Sequence, residues 1–264
     1  MSYNQAFFAF QIAAARTLAR RFALPLPDAL FNYTTLPRSA VRREAWPAFA
    51  AGLTEAEDAA AYTYQWYLGD HDPDPQPGDT QFHGRPLFGC FYYLVRDETV
   101  IRPHFIKNDQ TASPLSRARA EVRRAELRAM FAHIRQHEPQ ATTVLGNSWL
   151  YNLPAYRRLF PPAYTAELPE GEDGEFQFLA RWGQLFDCRW DVRLPHGERF
   201  LVALEELASL DDLRHCFPFQ IRQPHCAIAH FYDFYHRDVG SDDGGVMGTA
   251  VRRAARSKGH PDDQ

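Results

Sequence analysis

The sequence predicts an α+β fold in which helices come first and a mixed, mostly antiparallel central sheet follows. Three observations predict it. Residues 5–22 place apolar side chains at helical spacing; residues 86–106 hold two short runs rich in β-branched and aromatic residues; and between later strand-like runs lies one long amphipathic stretch, 113–137. The 264 residues are 45% hydrophobic and 23% charged, an ordinary balance for a chain that folds around a core. This length allows one large domain or two small ones. The expected division is an N-terminal helical region over 1–68, an α/β core over 81–237, and a Gly-, Asp- and Arg-rich tail over 238–264 with little to bury, expected to be disordered.

The first helix rests on Phe7, Phe8, Ile12, Ala15, Leu18 and Ala19, with arginines on another face, and Pro25 and Pro27 stop it. Residues 28–31 suggest a short helical turn and 39–46 a helix that begins near Pro37. Thr54 and Glu57 stand at capping-box spacing, which predicts a helix from there to about Tyr67. Residues 69–80 (GDHDPDPQPGDT) read as a solvated linker; their acids lack the twelve-residue calcium pattern ending in glutamate.

Residues 86–95 and 100–106 form an expected hairpin about the turn 96–99, and Pro103 implies that the second strand is at an edge or bulged. Ser113 followed by Pro114 predicts an N-cap and first helical residue. The helix should reach His137 on a stripe of Leu115, Ala118, Val122, Leu127, Met130, Phe131 and Ile134. A short strand at 142–145 and a short helix at 154–160 follow. In the last third, 176–186 reads as helix, 188–194 and 199–204 as strands about a Pro195–Glu198 turn, and 207–215 as a helix capped by Ser209. Residues 217–222 and 226–231 read as strands, with the aromatic run 231–235 docked on the core.

A formal charge of −4 offers no basic field for nucleic acid. No run of 18 uncharged apolar residues suggests a membrane span, and residues 6–15 are followed by arginines, the reverse of a secretion leader. Four cysteines without a Cys-x-x-Cys pair read as reduced thiols, so a cytoplasmic protein is expected. The sequence holds no Walker loop, Rossmann fingerprint, nucleophile elbow or zincin motif. His215-Cys216 and His225-Cys226, with His230 and His236, are dense in metal-binding types. Neighbours on a strand point to opposite faces, however, so no metal ligands are assigned.

The order strand, strand, long helix, strand, short helix over residues 87–168 resembles the central core of the GNAT acyl-CoA acyltransferase family. Residues 146–160 (GNSWLYNLPAYRRLF) are similar to that family's strand-to-helix passage, with Asn152 and Ala155 at its asparagine and alanine. The resemblance implies a GNAT-like core beside the N-terminal helical region, acyl-CoA as co-substrate and a small amine as acceptor. The long helix's N-terminus is an anion site on physical grounds, with Lys107, Ser113, Ser116, Arg117 and Arg119 around it; the resemblance adds Asn152 to the cofactor-binding residues. His104 is the candidate general base and Tyr156 the candidate proton donor to the leaving thiolate. Residues 107–115 contain none of the glycines of the family's phosphate loop. A second expectation follows: a non-catalytic module for a small ligand or protein that keeps the fold without the coenzyme. A third is a metal-dependent hydrolase built on the C-terminal His/Cys residues. The expected partner is a small molecule, with neither nucleic acid nor membrane; the oligomeric state is left open.

Overall fold

Asn4 opens the first helix, its Oδ1 accepting the Phe7 amide at 2.9 Å, and Ala23 in the left-handed conformation closes it. In the computed structural model, which describes residues 3–70, 78–106, 108, 113–171, 176–187 and 189–237, this helix is α1 (Gln5–Phe22). It is followed by α2 (Leu26–Tyr33), α3 (Leu36–Ser39), α4 (Trp46–Glu55) and α5 (Ala59–Asp70). The helix expected over 39–46 is replaced by α3 before it and a 3-10 turn, Arg43–Ala45, leading into α4. Thr54 does not start a helix but lies in the last turn of one. Its hydroxyl donates back to the carbonyls of Ala50 and Ala51, a local bond open to any helical threonine. Asp58 does the capping instead, its Oδ1 accepting the amides of Ala60 and Ala61 at 2.9 and 3.0 Å. Residues 71–77 of the expected linker lie outside the described residues; residues 69–70 end α5, and residues 78–80 lead into a short hairpin, β1 (Gln81–Phe82) and β2 (Arg85–Pro86).

The central sheet contains β3 (Phe91–Arg96), β4 (Val100–Phe105), β5 (Thr143–Leu145) and β6 (His225–Ala227) in that spatial order. β3 and β4 form the expected hairpin, pairing from Phe91↔Phe105 to Arg96↔Val100 without a bulge. β4 and β5 run parallel and pair only at Val100↔Thr143 and Ile101↔Val144; β6 is antiparallel to β5. Pro103 explains the short parallel ladder. The Ile106 amide donates to Cys90 on the β3 side. Amides alternate along a strand, so the Pro103 nitrogen faces β5, where the next ladder bond would need a hydrogen that proline lacks. From Pro103 onward β4 is a local edge although another strand follows it in the sheet.

Between β4 and β5 lies α6 (Ala120–His137), which buries Leu127, Met130, Phe131 and Ile134. It starts later than expected. Ser116 is extended, a 3-10 turn spans Arg117–Arg119, and neither Ser113 nor Pro114 is helical. The Leu115 carbonyl, which a helix would use internally, instead accepts Arg158 Nη2 at 2.8 Å. Short helices α7 (Pro154–Arg157), α8 (Pro162–Thr165) and α9 (Leu179–Trp182) come next, and a 3-10 turn, Gly183–Leu185, extends α9.

The hairpin expected around residues 195–198 is instead α10 (Leu194–Glu206). Pro195 sits in the first turn, where its missing amide hydrogen costs nothing. Gly197 admits the close approach of α1: a Cβ there would lie 2.4 Å from Val192 Cγ1 and 3.1 Å from Phe10 Cε2. Ser209 caps as expected, accepting the Asp211 amide, but the helix is 3-10, Leu210–Cys216. Residues 217–222 form no strand, and residues 229–231 turn into α11 (Ala229–Arg237), whose Phe231 and Tyr235 dock on the core.

Two buried clusters result. One joins Phe7, Phe8, Phe10, Phe49 and Tyr67 of the N-terminal helices to Trp182, Phe186, Phe200 and Phe217 from much later in the chain. The other joins Phe91, Ile101 and Val144 of the sheet to Phe131, Tyr156, Tyr164 and Phe231. The protein is therefore α+β, a helical lobe beside a lobe built on a mixed four-stranded sheet, with the small β1–β2 sheet in addition. Among the described residues no helix is long and apolar enough to cross a membrane.

Candidate functional site

Where β4 and β5 part, a cavity of about 1000 Å³ opens between the two lobes. Open sheets place ligands in such positions, beyond the carboxyl ends of diverging parallel strands. The sheet lobe supplies Phe105 and Ile106 from the end of β4, residues 113–117 before α6, Trp149 and Leu150 after β5, and Arg158 after α7. The helical lobe supplies Tyr3, Leu179, Phe186, Asp187, Arg189, Trp190 and Arg193. Burial of aromatic faces along the wall gives the cavity an apolar body.

Its charge is one-sided. Arg117, Arg158, Arg189 and Arg193 line it, and among the described residues none of the four pairs with a carboxylate. Guanidinium keeps its charge at any physiological pH. The one lining carboxylate among the described residues, Asp187, is occupied at Oδ1 by the amides of Arg189 and Asp191, at 2.7 and 3.1 Å. The cavity therefore favours an anion that also carries apolar or aromatic groups. Arg158 serves twice, since its bond to Leu115 also fastens the 113–117 segment against α7.

The rim of the helical lobe is held in a strained shape. Trp190 has φ 67°, a conformation rare for a bulky residue. Asp187 closes the turn through its own amide on the Asp191 carbonyl at 2.9 Å. Asn4 Nδ2 adds bonds to Arg189 O and Asp191 Oδ1 at 3.2 and 2.8 Å. The Trp190 ring rests on Tyr3 and Phe7, with centroids at 4.6 and 5.4 Å. These contacts offset the backbone strain and aim the indole at the cavity.

The residues singled out from the sequence divide. Ser113, Ser116 and Arg117 line the cavity; Lys107 lies outside the described residues. Arg119, in the 3-10 turn, is not among the described lining residues. Asn152 is a brace: its Nδ2 donates to Trp149 O and Gln220 O, both at 2.8 Å, and its Oδ1 accepts Arg222 Nε at 3.3 Å. Tyr156 is 2% exposed, its ring against Phe105 and Tyr151, and burial pushes its phenol well above the usual tyrosine range. It sits behind the wall, not on it. His104 lies one layer back too, stacked on the lining residue Tyr92 at 4.8 Å. Burial first, then the cations Arg102 and Arg85, pull it down to about 4, so it is neutral at pH 7. Its Nε2 is buried without a hydrogen-bond partner among the described residues.

Among the described residues no three of His, Cys, Asp and Glu come together as a metal site. Burial raises the Cys226 thiol to about 11, so it stays protonated at neutral pH and makes a poor nucleophile. Cys188 lies outside the described residues. Sequence reasoning missed Arg158, Arg189, Arg193, Asp187 and Trp190. Arg158 stands within the segment compared with the GNAT passage, but Arg189, Trp190 and Arg193 come from a stretch read as a strand and Asp187 from the junction before it, with no spacing signal tying them to Ser113. Comparison with protein-family models, with curated proteins and with solved structures gives no match.

Proposed function

We propose that this protein is an acyl-CoA-dependent N-acyltransferase of the GNAT kind, acting on a small amine. One observation carries the reading: β4 and β5 stop pairing at Ile101, and the cavity at their parted ends adjoins the 113–117 segment with the guanidiniums of Arg117 and Arg158, neither of which pairs with a carboxylate among the described residues. Two cations, one of them anchored where Arg158 Nη2 donates to the Leu115 carbonyl, suit a pyrophosphate. The volume suits a cofactor-sized ligand. Without loop glycines, side-chain guanidiniums take over much of the phosphate recognition that close backbone approach would otherwise supply. The bound thioester would supply an activated carbonyl: a carbon–nitrogen bond forms as the carbon–sulfur bond breaks and the thiolate departs. The cleft holds the two reactants together and narrows their access to water, so proximity supplies most of the rate. In this reading His104 and Tyr156 shape the wall, and the amine's proton passes to water.

A second reading, ligand binding without turnover, is favoured by one feature: neither His104 nor Tyr156 is among the described residues lining the cavity. Thermal shift with acetyl-CoA, followed by thiol release in the presence of amines, separates the two. At a hundredfold excess over Kd, binding stabilises by about 2.7 kcal/mol, roughly 5–10 °C for a chain of this size. A shift with thiol release supports the enzyme, and a shift without release supports the binding module. No shift with acetyl-CoA, free coenzyme A or pyrophosphate overturns the acyl-CoA reading.

A further inference from the structure

The four cavity guanidiniums come from two different lobes. Arg117 and Arg158 belong to the sheet lobe, beside the opening of α6; Arg189 and Arg193 belong to the rim of the helical lobe, across the cleft. That rim also presents a lining carboxylate, Asp187, whose Oδ2 has no partner among the described residues. The same lobe presents Trp190, Tyr3 and Phe186 to the cavity, an aromatic wall held by the strained turn and by Asn4. A rim with two cations, a carboxylate and an apolar surface, all carried by residues 187, 189, 190 and 193, complements a zwitterion with a hydrophobic side chain.

We infer that the helical-lobe rim is an acceptor subsite for a free α-amino acid with an aromatic or branched apolar side chain. Arg189 and Arg193 take the carboxylate, a planar acceptor that guanidinium matches in two parallel bonds. Asp187 takes the ammonium, and the side chain lies on Trp190 and Tyr3. Strain at Trp190 has a use here: it presents a rigid ring, so little conformational freedom is lost on binding. As a substrate assignment this rests on the acyl-transfer reading. The amino acid's nitrogen loses one proton to water, attacks the thioester carbonyl, and releases a second proton to water as the carbon–sulfur bond breaks. The product is an N-acyl amino acid, and the departing thiolate is protonated by solvent. As a binding site it stands by itself.

The test is calorimetry on the full chain with three probes: L-phenylalanine, its methyl ester, which lacks the carboxylate, and 3-phenylpropanoate, which lacks the ammonium. Acetyl-CoA binding is measured in parallel. The wild type should bind L-phenylalanine more tightly than either analogue. Arg189→Ala/Arg193→Ala should weaken L-phenylalanine by about tenfold or more, as expected for loss of a charge-assisted pair, while leaving the ester and acetyl-CoA unchanged. Asp187→Asn should weaken L-phenylalanine and leave 3-phenylpropanoate unchanged. Because Asp187 also closes its turn, circular dichroism accompanies that variant, and the arginine pair alone decides the case if the turn is lost. Amino-acid binding without any acetyl-CoA binding keeps the subsite and removes the acyl-transfer reading. Equal binding of all three probes, no binding of L-phenylalanine, or a double variant that loses acetyl-CoA but not L-phenylalanine overturns the subsite. The last result would assign the rim to the coenzyme.

Discussion

His104 should make the protein acid-sensitive, and the size of the effect can be worked out. It is mostly buried, stacked on Tyr92, and held at about 4 against 6.5 for an ordinary histidine, by burial first and then by Arg102 and Arg85. Above pH 6.5 the ring is neutral in folded and unfolded chains alike and favours neither. As pH falls from 6.5 to 4 the unfolded chain takes up a proton that the folded protein refuses, so stability declines; below 4 the loss is complete. At about 1.4 kcal/mol per tenfold change, the gap is worth ~3 kcal/mol. His104→Phe keeps a ring on Tyr92 and removes a buried nitrogen that has no partner among the described residues. The variant should therefore match or exceed the wild type at pH 7.5 and hold a growing advantage down to pH 4.5. Urea denaturation followed by tryptophan fluorescence at several pH values reads this directly. His133 and His196, also held low by burial, titrate in both proteins and cancel in the difference. Parallel stability curves for variant and wild type would refute the reasoning and mean that the imidazole has solvent enough to accept its proton in the folded state.

Pro103→Val restores the hydrogen that the β4–β5 ladder lacks, so thermal stability should hold or rise by about 1 kcal/mol while the acetyl-CoA shift shrinks as the strands close together. Glu126→Gln leaves the buried Arg123 without its 2.9 Å ionic partner, at 2% and 15% side-chain exposure for the pair. A loss of about 3 kcal/mol is expected, visible in calorimetry as roughly 6–12 °C; the glutamine can still accept the Cys90 amide that Glu126 holds at 3.1 Å. Arg158→Ala removes both a cavity cation and the tie to Leu115. Acetyl-CoA binding should weaken about tenfold or more, and amide exchange over 113–117 should speed up.

Much of the fold is legible locally. The helical spacing of Phe7 to Leu18, the stripe of α6 and the hairpin of β3 and β4 are set by side-chain period within a few turns of chain. Pro103 suggests an edge or bulged strand, whereas β4 lies inside the sheet without a bulge and the proline only ends its pairing with β5 after Ile101. The errors fall where local signals are ambiguous. Thr54 has the spacing of a helix start but ends a helix, because a hydroxyl can bond to the turn behind it as well as the amides ahead. The Pro195–Glu198 stretch looks like a hairpin turn but is helical: proline is tolerated in a first turn, and Gly197 makes room first for Val192 and then for the ring of Phe10, which is 187 positions away in sequence.

The sequence by itself determined the α+β class, the helical start, the strand pair and the basic, serine-bearing segment before α6. Each of these follows from residues close together in the chain. Only the tertiary structure decided that residues 176–217 cross back to bury Trp182, Phe186 and Phe200 against α1. That crossing brings Asp187, Arg189, Trp190 and Arg193 opposite residues 113–117 and encloses the cavity. The physical reason is that hydrophobic burial is non-directional: the pattern of apolar residues says which face of an element seeks cover, and only the packed whole says which distant face provides it.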